Sequence, residues 1–160
     1  MTRPELITLV KDIALIYNLD AAMVCAIVDK ESAFDTYAIR CESESGFMKR
    51  YGGTYTQLVK NSATKIDDKW FQFEDIFYSS YGLMQVMYPV AIETFPELAS
   101  ALTYPTRLCD PQVGLMAGCR LLAKKLGQAG GDVQKALLFW NGGSDTQYPF
   151  DVMSRKVKFA

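Results

Sequence analysis

Three polar side chains stand where the surrounding pattern calls for apolar ones. Glu31 follows "AAMVCAIVDK", in which Val24, Ile27 and Val28 share a helical face with it at spacings of three, four and seven. Gln85 interrupts the run "GLMQVM", and Asn141 closes "ALLFW" ahead of two glycines. A carboxyl group at a helix C-terminus, with Ile27, Val28 and Phe34 around it, is pushed toward its neutral form by desolvation and by the helix dipole. A neutral carboxylic acid near pH 6–7 is what protonates a leaving oxygen in glycoside cleavage. The competing reading is an ion pair with a nearby Lys or Arg. A buried amide such as Gln85 needs partners, which a sugar N-acetyl group or neighbouring backbone supplies. Asn-Gly after a helix is also ordinary C-capping.

Composition narrows the chemistry. The chain has 160 residues, 49% hydrophobic and 22% charged, with net charge −1 and no histidine. Such balance suits a globular chain with a real core and gives no electrostatic case for nucleic acid or an anionic membrane. The basic run Arg155-Lys156-Val157-Lys158 reads as a solvated helix end. Without histidine, Ser-His-Asp and Cys-His catalysis and most catalytic zinc sites drop out, leaving carboxylates, Lys, Tyr or Cys for proton transfer. Cys25, Cys41, Cys109 and Cys119 form no CxxC pair, so no metal and no cofactor are expected. Cys25 and Cys119 read as small core residues and free thiols are expected, with a Cys41–Cys109 disulfide as the alternative. Lys11 and Asp12 break the first apolar run, so it is read as neither signal peptide nor membrane span.

The elements that position these residues are mainly helical. Thr2 and Glu5 have capping-box spacing before a helix over Pro4–Tyr17, and Asp20 caps a second over Ala21–Ser32. Pro89 opens a short helix to Phe95. Asp110-Pro111 starts a helix to about Leu126 with the stripe Leu115, Cys119, Leu122, Leu126, and Asp132 caps one bearing Val133, Ala136, Leu137 and Trp140. A last helix starts near Pro149. Residues 35–79 are weakly patterned, with short helices expected near Tyr55–Ala63 and at most one short hairpin. Such a stretch reads as an insertion, at about 41–78, in a single domain spanning 1–160.

The segments "DKESAF", "SYGLMQVM", "DPQVGLMAGCRLLAKKL", "GGDVQKALLFWNGG" and "YPFDVM" resemble, in order and character, the lytic transglycosylase domain of the soluble murein transglycosylase type, within the goose-type lysozyme superfamily. The resemblance covers roughly 19–40 and 79–152. It implies a mainly α, lysozyme-like domain with a substrate groove between two lobes. It implies Glu31 as the single catalytic acid/base, Tyr148 as the hydroxyl orienting it, and Ser80, Met84, Gln85 and Asn141 as substrate-binding positions. Trp140 departs from the family's usual Tyr. The longer insertion resembles bacteriophage and prophage forms, in which "AIR" followed by an acidic residue recurs.

The implied reaction cleaves the MurNAc-β-1,4-GlcNAc bond of peptidoglycan and leaves a 1,6-anhydro end. A hydrolytic muramidase is the alternative. It needs a second carboxylate to activate water, with Glu42 preferred over Asp35 and Glu44. An inactive peptidoglycan-binding or virion module is a third reading. The expected partner is the glycan strand, with no nucleic acid and no integral membrane segment, and the chain is read as a monomer. Action on the bacterial cell wall without a signal peptide points to a virion component or release at lysis.

Overall fold

The computed structural model describes residues 1–42, 78–97, 102 and 104–160. The helices expected near Tyr55–Ala63, the bulk of the insertion, and Glu44 lie outside them.

Helices α1 (Arg3–Ile16) and α2 (Ala21–Glu31) begin where their caps predict. The Thr2 backbone N–H donates to Glu5 Oε2 at 2.7 Å, and the Asp20 carboxylate accepts from the Met23 N–H at 3.0 Å. Burial along α2 differs from the single stripe expected: Met23 to Asp29 are all buried. The helix packs against α1 and against the last helix, and helices covered on several sides carry apolar residues all round.

Next come three short antiparallel strands, β1 (Ile39–Cys41), β2 (Ser79–Tyr81) and β3 (Val86–Met87), in the order β1-β2-β3. The register sets Arg40 opposite Ser80 and Tyr81 opposite Val86. Among the described residues the sheet joins the two ends of the insertion, β1 leading into it and β2 leading out, and the hairpin expected within it lies outside them.

Helix α3 (Tyr88–Thr94) follows, then a 3₁₀ turn (Pro105–Cys109), α4 (Pro111–Gln128), α5 (Val133–Trp140) and α6 (Tyr148–Lys156). Asp110 caps α4 by accepting from the N–H groups of Gln112 and Val113, and Asp132 caps α5 through Lys135 N–H. Leu115, Cys119 and Leu122 enter the core as their spacing predicts, with Leu126 partly buried at its edge. Cys25, Cys109 and Cys119 are buried, and no disulfide joins the four cysteines. Burial pushes the thiols of Cys25 and Cys119 up to about 11 and about 12, which makes them inert core groups. No helix among the described residues is long and apolar enough to cross a membrane.

Candidate active site

Glu31 is the last residue of α2, and its side chain is 9% exposed. Beyond it the chain leaves the helix through two left-handed residues, Ala33 (φ 51°) and Phe34 (φ 67°). Non-glycine residues are strained there, and packing holds them. Phe34 is buried against Phe159, with the Arg3 guanidinium 4.8 Å from its ring centre. The Ser32 hydroxyl donates to Leu83 O at 2.9 Å and lies 3.1 Å from Val28 O. One side chain thus ties the end of α2 to the turn between β2 and β3.

Two donors from distant elements converge on a single oxygen of Glu31. The Tyr148 hydroxyl, at the start of α6, donates to Oε1 at 2.5 Å. The Trp140 indole N–H, at the end of α5, donates to the same oxygen at 3.1 Å. Burial first, then the charge and hydrogen bond of Glu31, hold the Tyr148 hydroxyl far above the ordinary tyrosine range, so it stays a donor. The α5 end is anchored by Lys125, whose ammonium donates to Phe139 O at 2.7 Å.

The other carboxylate oxygen faces Arg40. Its Nη2 lies 3.8 Å from Glu31 Oε2, while its Nε donates to Glu42 Oε1 at 2.7 Å. Glu42 lies one residue beyond β1, where its N–H still bonds to Tyr78 O at 2.8 Å, so in this continued extended pairing its side chain leaves the same face as that of Arg40. Ser80, in register with Arg40 on β2, adds a bond from its hydroxyl to Glu42 Oε1 at 2.9 Å. The Arg40 guanidinium thus lies between the Glu31 and Glu42 carboxylates, with contacts to both. Burial acts to lower the pKa of Arg40, but the hydrogen bond and charge of Glu42, then the charge of Glu31, outweigh it and raise it.

Of the residues singled out by sequence, Glu31, Tyr148, Glu42 and Ser80 come together. The Met84 side chain is 1% exposed, packed on Gly118 and 4.0 Å from Cys119 Sγ, a core position within the turn between β2 and β3. Gln85, at φ 48°, spends its amide nitrogen on the Ala38 and Gly82 carbonyls, both at 2.9 Å, leaving its oxygen as the acceptor. Asn141 accepts from Gly143 N–H at 2.9 Å and donates to Asp145 O at 2.7 Å, closing the 141–145 turn that follows Trp140. Asp35 accepts from Tyr37 N–H at 2.9 Å and serves a local turn.

Trp140 and Arg40 were not picked out as site residues. The period-two placement of Arg40 and Glu42 was readable in "IRCE"; the indole contact joins residues 109 apart and had no local trace.

The family model for the transglycosylase SLT domain matches residues 8–148. No curated protein and no solved structure matches the chain.

Proposed function

The chain belongs to the transglycosylase SLT domain family, whose members cleave glycosidic bonds of peptidoglycan, and from that premise we propose that it is a lytic transglycosylase acting between N-acetylmuramic acid and N-acetylglucosamine. The observation that carries this reading is one nearly buried carboxyl group, Glu31, held by two donors on one oxygen.

Saturation of Oε1 by Tyr148 and Trp140 leaves Oε2 to carry the transferable proton. In the proposed first step Oε2–H protonates the glycosidic oxygen as the bond from the muramoyl C1 breaks. The muramoyl 2-acetamido oxygen attacks C1, so no protein nucleophile is required, as in substrate-assisted glycosidases. Glu31, now ionised, takes the proton of the C6 hydroxyl as that oxygen closes on C1, the bond from C1 to the acetamido oxygen breaks and the amide is restored. The carboxylic acid is restored and the product ends in a 1,6-anhydro ring. One group serving as acid and then base needs fixed orientation more than a partner carboxylate, and Tyr148 and Trp140 supply it. Ser80, Gln85 and Asn141 are proposed to shape the surface that receives the glycan, Gln85 through its amide oxygen.

Hydrolysis by a muramidase mechanism is the second reading, favoured by the nearness of Glu42. Against it, Glu42 Oε1 already accepts from both Arg40 and Ser80.

The test is mass analysis of soluble fragments from purified peptidoglycan, with Glu31→Gln alongside. Fragments one water lighter than hydrolytic ones, absent with the variant, are expected. Full activity in Glu31→Gln would overturn the assignment.

A further inference from the structure

Arg40 sits between two carboxylates but bonds to only one. Its Nε is 2.7 Å from Glu42, whereas its Nη2 stops 3.8 Å from Glu31, beyond hydrogen-bond distance. The arrangement is built into the backbone. Strand alternation puts Arg40 and Glu42 on one face, and Ser80 fixes Glu42 from across the sheet. Arg40 itself is 58% exposed on a flexible stem. Left without Glu42, its guanidinium is free to close on Oε2 of Glu31, the oxygen that Tyr148 and Trp140 leave open, in a charge-assisted hydrogen bond. An acid so paired is held ionised and has no proton to give.

We infer that Glu42 is the counter-charge that keeps Arg40 from locking Glu31 in its ionised form, and that the Arg40–Glu42 pair sets the pH range over which Glu31 donates its proton. This rests on the reading of Glu31 as the acid. Arg40 at its present distance still stabilises the carboxylate that remains once the proton has left. Glu42 limits that pull in the resting enzyme. Both are positioning residues acting through Glu31.

The other charged groups around Glu31 are already matched among the described residues. On α2, Lys30 pairs with Asp151 of α6 at 2.5 Å and lies 5.5 Å from the centre of the Tyr148 ring. Asp29 is engaged by Arg3 of α1 and Arg155 of α6, with Lys158 beyond α6. From α5 comes the uncharged Trp140, from α6 the protonated Tyr148, and from β2 the uncharged Ser80.

The two single variants are therefore expected to move activity in opposite directions along the pH axis. The experiment is the pH dependence of kcat/KM on soluble glycan fragments for wild type, Arg40→Gln, Arg40→Lys, Glu42→Gln and the Arg40→Gln/Glu42→Gln pair. The alkaline limb, where Glu31 loses its proton, is expected to rise by about one pH unit in Arg40→Gln and to fall by about as much in Glu42→Gln. Arg40→Lys stays near wild type, and the double variant returns toward it. The carboxyl-carbon NMR titration of Glu31 reads the same displacements in any variant too slow to assay. Limbs that coincide, or that move the same way, overturn the inference. So does a Glu42→Gln enzyme inactive at every pH while its Glu31 titration is unmoved, the mark of a catalytic base. Should Glu31→Gln stay active, the reading of Glu31 as the acid fails instead.

Discussion

Tyr148 and Trp140 meet on one oxygen of Glu31, which makes their losses unequal and coupled. Tyr148→Phe removes the shorter bond to a group that must carry charge, worth about 1.5–3 kcal/mol, so kcat is expected to drop roughly ten- to a hundredfold with the fold kept. Trp140→Phe keeps the ring and loses the longer bond, and a smaller loss of about tenfold is expected. Because both donors serve the same acceptor, the double variant loses less than the product of the singles. Initial rates of peptidoglycan clearing, with thermal melts as the control for folding, check all three. A Tyr148→Phe enzyme of full activity would remove the orienting role. At this scale sequence reading went part of the way. Glu31 stood out by its place on an apolar face, and Tyr148 only through family resemblance. Asn141 and Gln85 looked polar for a ligand's sake, yet Asn141 is occupied by its own turn and the nitrogen of Gln85 by the carbonyls of Gly82 and Ala38.

Helix α2 matters as an element because both of its faces are tied down. On the side away from the site, Asp29 is 9% exposed and meets Arg3 and Arg155, with Lys158 at 3.6 Å. Burial alone would raise its pKa, but the Arg155 bond, then Lys158 and Arg3, more than offset this and hold it below the usual carboxylate range. A depressed native pKa contributes stability that is complete above the unfolded value near about pH 4 and is lost as pH falls through the native one. Since the cations are partly exposed, Asp29→Asn is expected to cost about 1–2 kcal/mol at neutral pH. The gap in melting temperature between variant and wild type should close on acidification below about pH 4. A gap that widens there would contradict the account.

The turn between β2 and β3 is the second critical element. Gly82 has φ 69°, and a Cβ on it would lie 2.3 Å from Leu108 O. Gly82→Ala is expected to cost about 2–4 kcal/mol, by denaturant midpoint. Gly130→Ala, equally left-handed but with open space around it, is expected to cost only about 1 kcal/mol. The helices themselves were legible because Asp20, Asp110 and Asp132 announce their starts and apolar spacing their lengths. The sheet was not, since β1 and β2 are three residues each and pair across the whole insertion.

For the whole molecule, the chain must bring residues 31, 40, 140 and 148 to one point. The periodic patterns that revealed the helices say nothing of which helix ends meet. That is why the indole bond to Glu31 and the Arg40 contact became visible only in the fold, whereas order of motifs along the chain sufficed for the family. The central claim is that Glu31 delivers a proton to the glycan and then recovers one from the sugar itself, with no water consumed. Digestion of purified peptidoglycan in heavy-oxygen water tests this most directly. The account predicts fragments with anhydromuramoyl ends carrying no solvent oxygen. Fragments with reducing ends that have each gained one heavy oxygen would contradict it and identify a hydrolase.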